Sequence, residues 1–479
     1  MKKSITTIAV KCVEEILQKI KETDFSSIGQ ATEELFDMLK STTLALVQSV
    51  VEEMDDALVT EAKRQRKIDG ITVKERNVKR TVLTSIGELT YERTYFSLRD
   101  GTKAYLIDHV IGVESYERIT KELCADLLNK ATDMSLQKAI DTRGTEISRQ
   151  TLDNRLMAMI SPVTDITRVD DTPEEIHIFA DEDHVNIRPK KNAIVPLVTV
   201  TEGIDTSNEK RHKTISPVSF QGYGMKNECF AENVVAAVYE RYDMEKVSRT
   251  VIHADGGGWI RSLGDMIPKS VYVMDGFHLQ KYMKKLYSLP GALHYAGVIN
   301  KAITENDHEA FTKYAERIKD KQDEKGPKKY SEIMTYFHNN WNAIAARRSG
   351  EYCGSCTEPL VSHILSERLS RAPLAWSEEG TAKMAMMRVY VKNGGRITAE
   401  NIRVSRSKED RINDHKALKD GFEIYNEYAE KQIQAVLDGD YDWSIFENEC
   451  FNSGFSYGKL TGTTVLLKAL AKEKHSFVA

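Results

Sequence analysis

Two acidic residues and a neighbouring histidine carry the chemistry that this sequence suggests most directly. Asp255 and Asp275 each follow a short β-branched run and precede a glycine, and His278 stands three residues after Asp275. Short apolar runs bounded by turn residues are typical of buried parallel strands, and open α/β sheets place their chemistry beyond the carboxyl ends of such strands. We therefore expect a cation or phosphoryl-transfer site at one sheet edge. Taken singly, either acid could instead be a helix cap or a turn residue.

Two further acids extend this set. An apolar strand predicted over residues 176–180 ends on Asp181, and Glu358 stands at the start of a predicted helix. Three carboxylates at one sheet edge can hold two divalent cations about 3.5–4 Å apart, which together support in-line displacement at phosphorus. Carboxylate oxygens suit hard cations such as Mg²⁺ or Mn²⁺. Asp181, Asp255 and Glu358 therefore predict a two-metal site.

Other acids close by compete for two of these positions. The competitors are Glu182 and Asp183 for the place of Asp181, and Glu351 and Glu367 for that of Glu358. Strand alternation puts Asp183 on the same face as Asp181, so the residues alone do not separate them. Glu367 lies on a helix whose Arg368 and Arg371 are better placed to contact phosphate.

The elements that must position these acids are predicted to form one mixed sheet. Residues 176–286 read as three strands, expected to be antiparallel, followed by helix, strand, helix, strand and helix. Residues 287–350 read as an all-helical insertion, and 351–395 return with the helix that bears Glu358. Residues 396–479 read as a polar helical tail. The sequence therefore predicts an α/β fold with a helical insertion.

The first 160 residues are predicted to be largely helical, with one β-hairpin. Residues 1–60 read as a helical arm of two helices, and we favour packing on the body over an oligomerising role. Residues 61–160 are predicted as a DNA-binding region, because eight basic residues between 61 and 80 lead into the hairpin. In that hairpin Tyr91, Arg93 and Tyr95 should share a face. A solvated basic edge strand is an equal alternative.

A second DNA-binding candidate follows the hairpin. Three helices are predicted over 113–160, the first from Glu114 to Lys130, with a break at Arg143-Gly144 and a last helix that opens at Ile147-Ser148. This layout is typical of a helix-turn-helix, although an ordinary helical hairpin is the commoner explanation. The polar side chains that would then face DNA are Arg149, Gln150, Asn154 and Arg155.

Composition excludes several classes of protein. The chain has 479 residues and a net charge of −5, so a nucleic-acid surface would have to be local. Six cysteines at this length do not form a disulfide framework, which fits a reduced compartment. The apolar run of the N-terminus is interrupted by Lys11 and Glu14, and no stretch approaches the roughly 18 apolar residues that span a bilayer. We expect a cytoplasmic protein without membrane segments.

Weaker motifs have ordinary structural explanations. Cys353 and Cys356 form a C-x-x-C that could begin a zinc site, but no second pair stands at suitable spacing. The glycines at 256–258 do not form a Walker loop, because no Gly-Lys-Ser/Thr follows them. We interpret His253 as a strand residue rather than a ligand, and Trp376 as core packing.

Four ordered blocks resemble the signature blocks of DDE transposases that have a ribonuclease-H-like core. The blocks are IFADEDHVNIR, IHADGGGWI, VMDGFHLQKY and CTEPLVSHILSERLSRAPLAWSEEG. The nearest resemblance is to a bacterial insertion-sequence group, the Lre-two family, which is related to the Mutator-like transposases. The resemblance covers most of the chain and is strongest over residues 176–388.

This resemblance implies roles for individual residues. Asp181, Asp255 and Glu358 would be the catalytic, metal-binding acids. Asp275-x-x-His278 would be an auxiliary motif, with His278 near the scissile phosphate. The fold implied is a ribonuclease-H-like mixed sheet with an all-α insertion, and the cofactor implied is a pair of Mg²⁺ or Mn²⁺ ions.

The resemblance also implies an activity and partners. The activity would be metal-dependent cleavage at insertion-sequence ends, followed by 3′-hydroxyl strand transfer into target DNA. The partners would be double-stranded DNA, as terminal inverted repeats and target, and further copies of the chain, since two ends must be paired. The protein would lie in the bacterial cytoplasm, at the nucleoid when DNA is bound. Two alternatives are a ribonuclease-H-like nuclease without strand transfer and a non-catalytic DNA-binding protein derived from a transposase.

Overall fold

In this computed structural model, the chain divides into two units. The structure describes residues 5–22, 27–64, 70–98, 101–144, 146–189, 191–208, 212–322, 326–349, 352, 356–371 and 376–403. Within these ranges, one unit contains residues up to 130 together with 136–160 and 397–403. The other contains 131–135 and 161–396. The division after residue 160 falls at the start of the turn-rich stretch that precedes the first strand of the predicted sheet.

The first unit begins with two helices and a β-hairpin. Helix α1 spans Ile5–Glu22 and α2 spans Ile28–Arg64. Strands β1, Thr72–Thr84, and β2, Gly87–Ser97, pair antiparallel, and the short β3, Lys103–Ala104, continues the sheet beside β2. Helix α2 packs along β2, where the buried Asp55 carboxylate accepts hydrogen bonds from the backbone N–H (3.0 Å) and hydroxyl (2.6 Å) of Thr94. The helical arm therefore packs on the hairpin through its second helix.

Four short helices complete this unit. They are α3, Leu106–Val110, α4, Lys121–Ala131, α5, Leu136–Asp141, and α6, Arg149–Ala158. The Ser148 hydroxyl caps α6 by accepting from the Thr151 N–H at 3.1 Å. Helix α4 begins seven residues later than predicted, because the backbone at Arg118 and Thr120 hydrogen-bonds to Leu83 at the end of β1.

The aromatic and basic face of the hairpin lies inside the unit. Tyr91 is fully buried and its hydroxyl donates to Asp108 at 2.8 Å, while Arg80 pairs with the same carboxylate at 3.0 Å. Arg93 also binds Asp108, and its guanidinium carbon lies 3.5 Å from the centroid of the Tyr105 ring. This corrects the interpretation of that face as a DNA surface, because its charges neutralise one buried acid.

The second unit is built on a mixed sheet of five strands. These strands are β4, Glu175–Ile187, β5, Lys191–Thr201, β8, Val218–Gln221, β9, Arg249–Ala254, and β10, Ser270–Met274. Their order is β10-β9-β4-β5-β8. Strands β4, β9 and β10 run parallel, whereas β5 is antiparallel to both β4 and β8. A separate two-stranded ribbon, β6 at Gly203–Asp205 and β7 at Lys213–Ile215, lies between β5 and β8 in sequence.

Helices alternate with the parallel strands. Helix α7, Asn227–Arg241, precedes β9, α8, Gly258–Met266, precedes β10, and α9, Gly276–Tyr287, follows β10. This is the element order predicted from the sequence, and the prediction of an α/β fold with a mixed sheet is confirmed. Residues 185–188, whose sequence fits either a strand of their own or an extension of the strand before them, largely continue β4.

Alternation along β4 separates two faces of the sheet. Ile176, Ile178 and Ala180 are buried in the core that the sheet shares with α7 and α8. His177, Phe179 and Asp181 point to the opposite face and are also buried. Because both faces are covered, the carboxylate of Asp181 lies in a place from which water is largely excluded.

The chain after β10 is helical. The helices are a 3₁₀ turn at Ala292–Tyr295, α10, Ala296–Thr304, α11, His308–Lys319, α12, Gly326–Asn339, and α13, Trp341–Arg348. They share an apolar core with α9 that includes Phe311, Phe337 and Trp341. Helix α13 packs against β10. The helical layer is therefore attached to the edge of the sheet that carries β10.

The last described elements pack on the face of the sheet opposite to α7 and α8. Helix α14, Thr357–Val361, passes through a π-helical turn at Ser362–Ser366 into α15, Glu367–Leu369. Helix α16 follows at Glu378–Lys392, and a 3₁₀ turn at Ala399–Asn401 belongs to the first unit. Helix α14 packs against β4, and α16 packs against β8 and β4. The tail predicted as polar helix lies, from residue 404 onward, outside the described residues.

Candidate metal centre

Three side chains converge at the carboxyl end of the parallel strands. Asp181, Asp255 and His278 each offer a ligand atom, and the three atoms lie within 4.8 Å of one another. In the register of the sheet Ala180 pairs with Ala254, so the two aspartates are the next residues on adjacent parallel strands. His278 comes from the first turn of α9, which starts directly after β10. Strand register and a helix N-terminus thus bring together residues almost 100 positions apart.

Asp275 positions the histidine. Its carboxylate is 2% exposed and caps α9, accepting from the backbone N–H groups of Phe277 at 2.9 Å and His278 at 3.2 Å. The same oxygen lies 3.4 Å from His278 Nδ1, an ion-pair distance at which the pair does not have hydrogen-bond geometry. The prediction that Asp275 could be a helix cap is confirmed, and the cap also orients the first-turn imidazole of His278.

Burial and crowding shift the protonation of this cluster. Burial raises the pKa of Asp181 to about 7, and the nearby Asp255 carboxylate adds to the rise. The Asp275 carboxylate raises the pKa of His278, against the opposing effect of burial. The three neighbouring carboxylates, Asp181, Asp255 and Asp275, repel one another where they are charged, and a single imidazole stands beside them. The cluster is therefore short of positive charge.

The donor set fits a divalent cation. Two carboxylates are hard oxygen ligands of the kind that Mg²⁺ and Mn²⁺ take, whereas imidazole is more typical of zinc, copper, iron and nickel sites. His278 Nδ1 is buried and has no hydrogen-bond partner among the described residues. One oxygen of Asp255 accepts from the Gly257 N–H at 2.8 Å, which orients the carboxylate. These groups can hold a cation without rearranging the sheet.

The loop after Asp255 requires glycine. Gly256 has a φ of +104°, and a Cβ at this position would lie 2.9 Å from Asn340 Oδ1. A larger residue would be strained by its backbone conformation and would displace Asn340. Gly256 thus allows the Asn340 side chain to approach closely beside the acid, and the helical layer reaches the site here between α12 and α13.

Asp183 is engaged elsewhere. Its side chain is buried, and its Oδ1 accepts hydrogen bonds from the hydroxyls of Ser366 at 3.1 Å and Ser370 at 2.9 Å. Its other oxygen is buried without a hydrogen-bond partner among the described residues. Although Asp181 and Asp183 share a face of β4, only Asp181 joins the cluster with Asp255 and His278. Asp183 instead ties β4 to the end of the helix that bears Glu358.

Glu358 lies outside the cluster. It is the second residue of α14, its side chain is exposed, and it does not join Asp181 and Asp255 within the distance that groups those ligands. Its helix nevertheless packs against β4, the strand that carries Asp181. Of its competitors, Glu367 is bound by His363 at 2.7 Å, a contact that lowers the pKa of Glu367. Glu351 lies outside the described residues.

A buried arginine holds the helix that follows Glu358. The side chain of Arg388 on α16 is only 1% exposed and donates to the backbone carbonyls of His363 and Ile364. A π-helical turn disturbs the regular i→i−4 ladder, so it leaves carbonyl groups in need of other donors. Arg388 also binds Asp133 at 3.0 Å. The buried role of this arginine was not predicted from the sequence. The only indication in the sequence was one positive charge among the apolar residues of α16.

The residues predicted to contact DNA fall into two groups. Arg149, Gln150 and Asn154 on α6 are exposed and remain candidates. Arg155 is 6% exposed and donates to the Arg403 carbonyl at 3.0 Å, and Arg368 is 5% exposed and donates to the Ala131 carbonyl at 2.9 Å. This corrects the expectation for these two arginines, because their guanidinium groups are used inside the fold.

Arg371 is exposed and lies two residues beyond the end of α15. It contacts the Ser362 hydroxyl and lies 3.8 Å from the Glu367 carboxylate. Trp376, predicted as core packing, is only partly buried; its indole N–H donates to the Leu369 carbonyl at 3.1 Å, and the Arg368 guanidinium carbon lies 4.7 Å from its ring centroid. Cys356 is buried, which agrees with a structural cysteine, and Cys353 lies outside the described residues. Arg371 therefore remains a candidate for contact with a phosphate.

Two histidines contact each other beneath the cluster, and this contact was not predicted from the sequence. His177 Nδ1 and His253 Nε2 are 3.0 Å apart, and the Phe179 ring stacks on His253 with centroids 4.6 Å apart. His253 is fully buried, and burial lowers its pKa to about 3. It is a strand residue rather than a ligand, as predicted. The neutral pair fills the sheet directly below the acids.

Helices long and apolar enough to cross a bilayer are absent from the described part of the chain.

Comparison with known proteins gives matches over most of the chain. A family model described as an uncharacterised protein family, UPF0236, matches residues 22–406. A UPF0236 protein of Caldanaerobacter subterraneus subsp. tengcongensis is 34% identical over 347 residues, which are 71% of this chain and 73% of that protein. Two more UPF0236 proteins of the same organism are 33% identical over 347 residues, covering 71% of this chain and 73% and 69% of those proteins. The name of the first relative joins eleven gene numbers.

Proposed function

This chain belongs to the uncharacterised protein family UPF0236, and we propose that it is a DDE-type transposase. In this proposal it cleaves double-stranded DNA at the ends of an insertion sequence and joins the freed 3′ ends to target DNA. The observation that carries the proposal is the convergence of Asp181, Asp255 and His278 within 4.8 Å at one sheet edge. These residues come from three of the four blocks that resemble DDE transposases.

The topology of the sheet supports a ribonuclease-H-like core. Three strands that follow one another antiparallel, β4, β5 and β8, precede two strands that run parallel to β4. The proposed ligands Asp181 and Asp255 stand at the same end of neighbouring strands at the centre of this sheet. Ligands in α/β sheets bind beyond the carboxyl ends of the strands, which is where these acids lie.

A relative's name also supports a mobile element. Eleven gene numbers joined in one name describe a protein encoded repeatedly in one genome. Another relative's name joins four such numbers. A gene that moves by copying or excision accumulates copies in one genome in this way. The gene of a metabolic nuclease is not expected to do so.

The proposed reaction uses two in-line displacements at phosphorus. In the first, water attacks the phosphodiester at the element end, and a 3′-hydroxyl leaves. In the second, that hydroxyl attacks a target phosphodiester, so that one P–O bond forms as another breaks and no covalent bond to the protein is made. When bound, Mg²⁺ or Mn²⁺ would supply Lewis-acid stabilisation of the charge that develops on phosphate oxygens.

Individual residues of the chain would have distinct roles in this reaction. Asp181 and Asp255 would hold the cations, and Glu358 would join them as the last acid when DNA and cations bind, since α14 already packs on β4. His278, whose pKa the Asp275 carboxylate raises, would donate a hydrogen bond to a non-bridging phosphate oxygen. Exposed Arg371 and the exposed start of α6 would contact DNA phosphates.

Strand transfer tests the proposal directly. The purified full chain would be incubated with Mg²⁺, a labelled DNA end carrying the inverted repeat that flanks its gene, and a supercoiled target plasmid. We expect labelled products joined to the plasmid, and none when EDTA replaces Mg²⁺. Cleaved ends without joined products would instead identify a nuclease, and end binding without cleavage in Mg²⁺ or Mn²⁺ would identify a non-catalytic DNA-binding protein.

A further inference from the structure

A cavity lies in the second unit where the edge strand β10 meets helices α8, α12 and α13. Its volume is about 450 Å³, within the range of roughly 300–1,000 Å³ that is typical of small-molecule sites. The lining comes from α8, from β10, from the end of α12 and from α13. The roles proposed above for the acids and for His278 do not use this cavity.

One side of the cavity adjoins the candidate metal centre. Asn340 lines the cavity and lies against Gly256, where a Cβ would come within 2.9 Å of the Asn340 Oδ1. Gly256 directly follows Asp255, one of the two aspartates of the cluster. A molecule in the cavity is therefore a close neighbour of whatever the cluster binds.

The lining of the cavity favours an anion. Arg261 is exposed, and its Nη2 donates to the Asn339 carbonyl at 3.1 Å and to Asn340 Oδ1 at 2.7 Å. These bonds fix the guanidinium and leave its other two nitrogens without a partner among the described residues. Aspartate and glutamate are absent from the residues that line the cavity. In a chain with a net charge of −5, a lining with an arginine and no acid attracts negative charge locally.

Two further groups of the lining need a hydrogen-bond partner. Asn340 stands at the N-cap of α13 without capping it, because its Oδ1 accepts from Arg261 and its Nδ2 donates to the Tyr336 carbonyl at 2.8 Å. Residues 341–343 line the cavity, and the first N–H groups of a helix have no acceptor within the helix and bind anions. Tyr272 also lines the cavity, and its buried hydroxyl has no hydrogen-bond partner in the described part of the chain. Both groups indicate a polar ligand.

We propose that this cavity binds one unpaired nucleotide of the DNA strand next to the cleaved phosphodiester, an inference that rests on the proposed function. The phosphate of this nucleotide lies between Arg261 and the start of α13. Its base meets the exposed amides of Asn339 and Asn342, because an amide offers a donor and an acceptor together and so matches the edge of a base. The nucleotide is unpaired, since a paired base inside a duplex cannot enter a pocket.

Free nucleotides test the cavity without any DNA reaction. The full chain in EDTA would be titrated with each of the four 2′-deoxynucleoside monophosphates, and binding would be followed by ligand-observed NMR. We expect at least one to bind, with Kd raised about tenfold by Arg261→Gln and about threefold by Asn342→Ala, whose exposed side chain is not needed for folding. Arg317→Gln and Asn300→Ala are matched controls, because both residues are exposed on other helices and lie outside the lining. Melting temperatures would show that all four variants fold.

A photoreactive DNA end locates the nucleotide. An end that carries 5-iododeoxyuridine beside the cleaved phosphodiester would be bound to the full chain in EDTA and irradiated, and we expect the cross-link at Tyr272 or within residues 338–346. Cross-links elsewhere, or monophosphates whose affinity neither Arg261→Gln nor Asn342→Ala changes, would overturn the inference even if strand transfer succeeds. Monophosphates that bind in the cavity without any cross-link from DNA there would assign it to a soluble nucleotide and refute the DNA contact. Cross-links in the cavity of a chain that fails in strand transfer would support the inference and count against the proposed function alone.

Discussion

Ser366 donates a hydrogen bond of 3.1 Å to the buried carboxylate of Asp183, two residues along β4 from Asp181. The donor belongs to the helical segment that begins at Thr357 and bears Glu358, and Ser370 makes a second such bond at 2.9 Å. Strand β4 thus carries two buried acids with different partners. One belongs to the cation cluster, and the other fixes the position of the segment that presents the last acid.

This division predicts that Asp181→Asn and Asp183→Asn will differ in activity. Asn at 183 keeps an oxygen that can accept from both serines, so cleavage should fall by no more than about threefold. Asn at 181 loses a charged ligand, so cleavage should fall by more than about 100-fold. Initial rates of Mg²⁺-dependent end cleavage would measure both. Equal losses would mean that Asp183 is also a ligand.

Asp183→Ala should behave differently from Asp183→Asn. It leaves the hydroxyls of Ser366 and Ser370 without their buried acceptor, which should cost about 1–3 kcal/mol of unfolding free energy. Denaturant unfolding with the Asn variant as reference would measure this cost. If the Ala variant were as stable as the Asn variant, the serine contacts would contribute nothing to the fold.

The stability of the cation-free protein should depend on pH through Asp181. Burial raises its pKa from 3.8 to about 7, so the folded state binds this proton more tightly than the unfolded state. The resulting stabilisation is complete below the ordinary pKa of the carboxyl and is lost as the pH rises through about 7. At pH 8, Asp181→Asn should therefore melt at least about 3 °C above the wild type in EDTA.

Two changes of condition check that assignment. Near pH 4 the melting temperatures should converge, because the wild-type carboxyl is then protonated. Adding Mg²⁺ at pH 8 should raise the melting temperature of the wild type and not that of the Asn variant, since ligand binding stabilises only the protein that holds the ion. A pH-independent difference between the two proteins would exclude burial of the Asp181 charge as its cause.

Asp255→Asn should separate DNA binding from cleavage. The variant keeps an oxygen that can accept from the Gly257 N–H, so the loop should keep its shape. We expect end binding in a gel shift within about twofold of the wild type and cleavage reduced by more than about 100-fold. Asp265→Asn is a control, because that acid is exposed on α8. Full cleavage by the Asp255 variant would remove the central acid from the proposed mechanism.

Arg388→Met should destabilise the second unit. The guanidinium is 1% exposed and serves the carbonyls of His363 and Ile364, which would be left without a donor. We expect a loss of at least about 2 kcal/mol in the free energy of unfolding. Lys392→Met is matched to it, because Lys392 on the same helix also reaches Asp133, at 3.2 Å, but is partly exposed. That variant should change stability by less than about 0.5 kcal/mol.

Local sequence predicted the elements of the site better than its contacts. Short β-branched runs that end on an acid and a glycine were enough to locate β9 and β10, because buried parallel strands have a distinctive composition. The start of α4 was wrong by seven residues, because a pairing with Leu83 competes with the helix there. The face with Tyr91 and Arg93, for which a DNA surface and a solvated edge were equal alternatives, instead points into the unit, since its partner Asp108 lies beyond the hairpin in sequence.

The sequence by itself determined which groups are available: acids at strand ends, an aspartate that caps a helix three residues before a histidine, and an amphipathic first arm. These follow from local periodicity and from capping chemistry, which act over a few residues. Only the tertiary structure decided that Asp181 joins the cluster while Asp183 binds serines, and that Arg155 and Arg368 are buried. Those outcomes depend on strand register and on helices distant in the chain, and neighbouring residues do not encode either.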